Sequence, residues 1–563
     1  MDLSLRDFAS QVRPRPARPA PDVFDGSVFD AGSPQYIRPE DMLLDIQSQL
    51  FGIGRKSTKE LDGVHPANFR GRWLRETQGK LLVTPVGDVS QKDMLEAIWE
   101  VAKCARRKNE EYPALLPINA TLGHYKNIAK NLPSYWNDQL CPALSFADSD
   151  NFNERLQKFQ SVLISKIDSK DRAEALSVAL LPGKLEPREM PIHKVPYLRD
   201  YTANPPAPLK ICSSLVEFLD ILLVLVVRLP RVLWARWLTA LFRNWLPLFF
   251  LKRCAVTHAT ALELHRVITQ GEITPEKQLA QRLISDRALL RGSPEWLIQL
   301  QPIVQQYVRA RLELSIALEL SNINEWLISE NNVNPANSEH KVIIGNLLRS
   351  VFGSNGQTGT LPSACGIFRG RKLSMPGDTG PDKLPLSKWL GWIVDQRPAL
   401  DSLSCALGAE DFGDLINTAY DFLRPSYEPL KSGFGKNALE YVSYMLGAPR
   451  KRDRDPSFTD EFNLVIRGEG GRRARRISVQ PGSELLIMIV QLIGFKAGYR
   501  LAKLSDLLEL FDCIGIDFKS EPADFEILVS RLTELGLLES SADAAEAASL
   551  KPRYSFRSKE LDD

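Results

Sequence analysis

The sequence predicts a mainly α, multidomain protein, built of helical bundles with a C-terminal β-hairpin and a winged-helix-like module. Three observations predict it. Long stretches repeat apolar residues at three- and four-residue spacing, the period of a helix with one buried face. Segments dense in proline and glycine interrupt those stretches. Near the C-terminus, alternating residues around a glycine turn give way to three helical patterns and two short extended ones.

The 563 residues suffice for several cores. Their 71 basic and 69 acidic residues leave a net charge of +2, so binding of any polyanion must come from local segregation of charge. Seven widely spaced cysteines without a CxxC pair fit reduced thiols in a cytoplasmic protein. The first residues, MDLSLRDFASQVRPRPARPAP, lack an apolar core, so they are not expected to be a secretory signal.

Residues 1–40, with Arg13, Arg15 and Arg18 among prolines, read as a disordered basic arm. Residues 41–182 read as an N-terminal helical domain: Met42, Leu43, Ile46 and Leu50 share a face, Ser90 precedes a helix over Lys92 to Lys108, and another runs from Phe152 to Ile167. Prolines 187, 191, 196, 205, 206 and 208 mark 183–210 as a linker. Residues 211–352 read as a central bundle whose clearest helix is Pro302 to Glu319. A loop rich in Gly, Ser and Pro follows over 353–384. Residues 385–458 return to helix at Leu386 to Val394, Leu403 to Leu423 and Asn437 to Leu446.

Within the central bundle, Leu215 to Leu251 is the most apolar stretch, yet its longest uninterrupted run, Ile221 to Val227, is far too short to span a membrane. Taken as one helix in phase across Pro230, it places Glu217, Asp220, Arg228, Arg231, Arg236 and Arg243 within one arc. Two readings follow. One is a buried helical hairpin; the other is an interfacial helix with Trp234, Trp237 and Trp245 at headgroup level. The first is favoured, and a membrane is not expected among the partners.

No catalytic motif is found. Gly52-Ile-Gly-Arg-Lys-Ser57 lacks the spacing and the preceding strand of a phosphate loop, and Gly353 to Gly359 has no lysine. Cys254, His258 and His265 share a helical face near Glu263, but HExxH is absent, so no metal and no cofactor is assigned. The acid and acid-x-lysine pattern of a metal-dependent nuclease is also missing. The chain reads as non-enzymatic.

The last module, 459–556, carries the functional signal. Phe462, Leu464 and Ile466 alternate with polar residues, as do Ile477 and Val479 after Glu469-Gly470-Gly471, which is a hairpin pattern. Arg467, Arg472, Arg473, Arg475 and Arg476 surround the turn, and Arg450, Lys451, Arg452 and Arg454 lie just upstream. With nine basic against five acidic residues, Arg450 to Arg476 has a net charge of +4. Forked guanidinium donors on a ribbon suit phosphates, so nucleic acid, taken as DNA, is the expected partner. The plain alternative is a solvated basic loop, or one that meets an acidic protein.

Helices are expected at Ser483 to Ile493, capped by Ser483, at Leu504 to Cys513 and at Pro522 to Leu535. Tyr499 to Ala502 reads as a strand, and Leu537-Leu538 with Tyr554 to Phe556 as a wing. The third helix, where such domains read the major groove, is acidic: Glu521, Asp524, Glu526 and Glu534 against Arg531. Arg500 to Glu539 carries four basic and nine acidic residues, net −5, so phosphate repulsion turns this helix into an expected surface for other protein subunits.

The run RRISVQPGSELLIMIVQLIGFKAGYRLAKLSDLLELFDCIGIDF, Arg475 to Phe518, resembles the C-terminal part of large accessory proteins encoded in bacterial antiviral defence clusters beside helicases, ATPases or nucleases. It covers less than a fifth of the chain and carries no catalytic residue to transfer. The resemblance implies a cytoplasmic bacterial subunit of a multi-protein complex. Two other readings stay open: a peripheral membrane or structural scaffold using 215–251, and an unrecognised metal-dependent nuclease.

Overall fold

The structure is a computed structural model, and it describes 207–225, 231–274, 289–292, 296–329, 338–354, 386–427, 433–446, 460–467, 477–497, 502–539 and 548–554. It also describes 90, 93, 103–107, 110–113, 333, 337, 357–358 and single positions in 154–162 and 278–282. The fold is mainly α, with 79% of the described residues helical. The basic arm, the helix expected over 42–50 and the prolines from 182 to 206 lie outside the described residues.

In chain order the elements are β1 (Lys103–Arg107), β2 (Glu110–Pro113), α1 (Ala207–Leu225), α2 (Arg231–Gln270), β3 (Leu290–Arg291), α3 (Trp296–Ser329) and α4 (Ser338–Phe352). There follow β4 (Gly353–Ser354), β5 (Gln357–Thr358), α5 (Leu386–Asp395), α6 (Arg397–Ser404), α7 (Phe412–Tyr427) and α8 (Gly433–Met445). The C-terminal part holds β6 (Val465–Arg467), β7 (Ile477–Val479), α9 (Ser483–Lys496), α10 (Leu504–Cys513), β8 (Ile516–Asp517), α11 (Pro522–Glu534), β9 (Leu538–Glu539) and β10 (Ser549–Leu550).

The apolar stretch forms α1 and α2, and it is the core of the protein. α2 touches α1, α3, α5, α7, α8 and α9. From Leu246 to Cys254 every side chain is buried, those of Lys252 and Arg253 included. Trp237 is 0% and Trp245 1% exposed. The Trp245 indole N–H donates to Ser214 Oγ at 2.9 Å, and that hydroxyl donates to Ile211 O, so α1 and α2 are tied by a satisfied buried pair. Pro247 stands inside α2 and withholds the N–H that would bond the Arg243 carbonyl.

The described helices of this stretch are α1, ending at Leu225, and α2, beginning at Arg231; 226–230, across which the charged arc assumes one phase, lie outside the described residues. The charges of the two helices go to separate partners: Glu217 meets Lys496 Nζ at 2.9 Å, Asp220 meets Arg155 Nε at 3.1 Å, and Arg243 Nε donates to Met445 O at 3.0 Å. Trp237 and Trp245, two of the three tryptophans expected at headgroup level in the interfacial reading, are buried in protein, and the Trp234 side chain lies outside the described residues.

Several boundaries differ from expectation for local reasons. α1 begins at Ala207, because Pro208 in a first helical turn has no N–H to satisfy, so the expected linker is shortened at its end. β1 and β2, paired antiparallel with Arg107 opposite Glu110, take the end of the helix expected over 92–108, of which Asp93 is helical and 92, 94–102 and 108 lie outside the described residues. Ser90 does cap it, accepting from Asp93 N. The helix expected over 403–423 is divided by a left-handed turn at Gly408 into α6 and α7. The glycine-rich segment opens with β4 paired to β5, Gly353 opposite Thr358, across Asn355-Gly356, a preferred hairpin dipeptide.

The C-terminal elements are built onto this core. β3 pairs in parallel with β8, Leu290 opposite Ile516, and both Leu289 N and Leu290 N donate to Gly515 O. The cap of α9 is Gly482, and Ser483 is its first helical residue. Of the strand expected at 499–502 only Ala502 is among the described residues, and next to it Lys503 bridges to Ser549. β9 pairs with β10, Leu538 opposite Leu550, so the wing's return strand lies upstream of its expected place at 554–556. Tyr554 instead exchanges two hydrogen bonds with the buried Gln491 side chain, Gln491 Nε2 to Tyr554 O at 2.7 Å and Tyr554 N to Gln491 Oε1 at 2.9 Å.

Candidate functional site

The arginine ribbon begins in the core. β6 and β7 pair antiparallel, with Val465 opposite Val479, Ile466 opposite Ser478 and Arg467 opposite Ile477. Below them Phe462, Asn463 and Leu464 are buried, and Gly482 N donates to Asn463 O at 2.8 Å, tying the chain entering the ribbon to the chain leaving it.

Asn244 of α2 fixes the other edge. Its Nδ2 donates to Phe462 O at 3.1 Å and to Ala240 O at 2.7 Å, and its Oδ1 accepts from Leu464 N at 2.9 Å. Its neighbour Arg243 donates to Met445 O, where a cation meets the negative end of α8. The chain that runs from α8 to the ribbon is therefore held at both ends by consecutive residues of one helix.

Of the expected nucleic-acid residues, Arg467 is placed at the end of β6. Arg472, Arg473, Arg475, Arg476, Arg450, Lys451 and Arg452 lie outside the described residues. The structure thus supplies the ribbon's strands and root, and the sequence supplies the charge between them. Asn244 escaped sequence reasoning. The signal was there, a lone amide within WLTALFRNWLPLFF, because a polar side chain in a core helix must find partners.

The acidic helix is less uniform than its composition. Glu521, Glu526 and Glu534 are exposed, with Glu534 accepting from Ser530 Oγ at 3.3 Å. Asp524 is only 4% exposed and lines a small crevice with Gly292, Gln480, Pro481, Phe518 and Arg531. It belongs to the packing of α11, not to an outward face. Other acids have local duties: Asp506 Oδ2 accepts from Lys503 N at the start of α10, Asp512 meets Lys519 at 3.4 Å, and Glu539 pairs with Lys551. Burial alone would raise the Asp517 carboxyl; bonds from the Ser520 hydroxyl and the Ser520 and Lys519 backbones, with Arg291 nearby, hold it below its usual range.

The histidine face of α2 does not converge on a metal. Cys254 is buried, His265 Nε2 lies 3.2 Å from Glu313 Oε2 on α3, and Glu263 is taken by Arg266 and Thr274. Arg309 Nε completes the Glu313 pair at 2.7 Å. Burial pushes both glutamates up, and the Arg266 and Thr274 bonds to Glu263 and the His265 and Arg309 bonds to Glu313 more than reverse it. Burial also lowers His258, against the attraction of Glu313 and with the repulsion of Arg309. Among the described residues no three His, Cys, Asp or Glu side chains are grouped to hold a metal ion, and no helix is long and apolar enough to cross a membrane. Compared with protein families, curated proteins and solved structures, the chain matches none.

Proposed function

We propose that this chain is a non-enzymatic, DNA-binding and scaffolding subunit of a bacterial multi-protein defence complex. Arg467, Arg472, Arg473, Arg475 and Arg476, with Arg450, Lys451 and Arg452, contact phosphates, and the exposed acids of α11 meet a protein partner, in the class of a helicase, ATPase or nuclease. The observation that carries the reading is the anchorage of the ribbon: its strands pair in register on a root held by Asn244 and Gly482. A solvated loop needs no such root, whereas phosphate contacts need donors held in position.

The winged-helix assignment of the last module is supported by its order of elements, α9, the bridge at Lys503, α10, α11, then β9 and β10, with the bridge and β10 sharing a small sheet edge. Its third helix keeps Glu521, Glu526 and Glu534 outward, which opposes insertion beside phosphates. Anchoring on lipid through 215–251 has lost its support, since Trp237 and Trp245 are in the core. The defence setting rests on the sequence resemblance, and the neighbouring genes test it.

The direct test replaces Arg472, Arg473, Arg475 and Arg476 by alanine and measures duplex DNA affinity by fluorescence anisotropy across salt concentrations. The expected result is a loss of affinity at low salt and a salt slope reduced by about one for each phosphate contact removed. Unchanged affinity and slope would sink the reading. Glu521→Lys, Glu526→Lys and Glu534→Lys together should leave DNA affinity intact or raised while abolishing co-purification with the partner.

A further inference from the structure

We infer that Asn244 is the positioning residue of the arginine ribbon, setting the register of β6 against α2; what the ribbon contacts rests on the function proposed above. The side-chain amide meets Phe462 O and Leu464 N, the two groups that flank Asn463 on one edge of the extended chain. A parallel strand would offer the same pair, one N–H and one C=O reaching the residues on either side of its partner. Asn244 therefore replaces a neighbouring strand on the edge of the ribbon that β7 does not cover, and Gly482 N closes the other side on Asn463 O. Phe462 O and Leu464 N on one edge of the root and Asn463 O on the other are thus bonded, without a third strand.

Register is what this lock controls. Side chains alternate along a strand, so a slip of one residue turns every side chain of β6 to the opposite face, Arg467 among them. Hydrophobic burial of Phe462 and Leu464 leaves the slip possible in either direction, because Asn463 between them is buried too. Directional bonds to 462 and 464 do not.

The full-length chain tests this with Asn244→Leu, which keeps the branched shape and loses both bonds, and Asn244→Asp, whose carboxylate accepts from Leu464 N but repels Phe462 O until it is protonated. Two readouts are taken: hydrogen exchange of the Leu464 amide, which needs no ligand, and the affinity and salt slope for a DNA duplex. Exchange at Leu464 should quicken at least tenfold in Asn244→Leu and stay near wild type in Asn244→Asp, whose carboxylate still accepts from that amide, with helical circular dichroism retained in both. Duplex affinity should fall together with the salt slope, and Asn244→Asp, unlike Asn244→Leu, should regain affinity relative to wild type on acidification.

An unchanged Leu464 amide in Asn244→Leu overturns the inference, as does faster exchange there with affinity and slope both intact while the four-arginine variant has lost them. If the four-arginine variant binds DNA like wild type, the DNA reading fails and the exchange result alone decides whether Asn244 holds the ribbon. Should neither Asn244 variant fold, wild-type exchange decides: protection equal to the amides of α2 supports the lock, and loop-like exchange overturns it.

Discussion

A Cβ added to Gly292 would stand 2.7 Å from Cγ of Asp524, so the strand end after β3 and the first turn of α11 meet at a distance only glycine permits. Asp524 is buried, and the atoms in the way belong to a short side chain with little freedom to withdraw. Gly292→Ala should destabilise the protein by about 1–3 kcal/mol, the usual cost of overpacking. Thermal unfolding checks it. The Asp524→Ala background should return much of that loss, and equal effects in both backgrounds would refute the contact as the cause.

Stability should fall on acidification in two stages. His258 has a folded pKa below its ordinary 6.5, so the fold favours its neutral form; that contribution is complete above 6.5 and is lost as pH falls through the lower folded value. Glu263 and Glu313 are depressed from 4.5, and Asp517 from 3.8, so their contribution is present above those values and disappears below them as the carboxylates protonate. Denaturant midpoints measured from pH 8 to pH 3 should decline throughout. Glu313→Gln should flatten the lower stage, and a wild-type midpoint that rises below pH 4 would contradict the assignment.

Much of this organisation is legible in the sequence, and the failures share one cause. α10 begins at Leu504 and ends at Cys513 as its pattern indicates, and the pairing of β6 with β7 follows the alternation around Glu469-Gly470-Gly471. Those signals are local. The contacts of Asn244 lie 218 and 220 residues away, and no local period reveals them. The charged arc from Glu217 to Arg243 groups residues whose partners, Lys496, Arg155 and the Met445 carbonyl, lie on separate segments, which a helical wheel does not reveal. Counting charge on α11 overstated its acidic face, since composition does not separate Asp524, turned inward, from Glu526, turned outward.

The Trp245 and Ser214 pair gives a double-mutant test of the core hairpin. Ser214→Ala strands a buried indole N–H and should cost about 1–3 kcal/mol. Trp245→Phe removes the donor together with some packing against Phe218, whose ring centroid lies 5.4 Å away. In the Trp245→Phe background, Ser214→Ala should therefore cost less than it does in wild type. Denaturant unfolding of the four proteins measures the coupling, and strict additivity would show that the bond contributes nothing.

Asn324 is the clearest place where the protein has given up stability. It lies on α3 with 0% exposure, and neither its Oδ1 nor its Nδ2 finds a hydrogen-bond partner among the described residues. A buried amide without partners carries its desolvation cost uncompensated, roughly 1–3 kcal/mol. Leucine is close to asparagine in shape and adds apolar surface in a region already lined by Leu320, Ile323 and Leu327. Asn324→Leu should raise the denaturant midpoint, by about 1–2 kcal/mol in stability, while Asn324→Ala should gain less because it leaves a void. A lowered midpoint for Asn324→Leu would mean that the amide meets a buried water or another polar group, and a conserved water would then be sought beside α3.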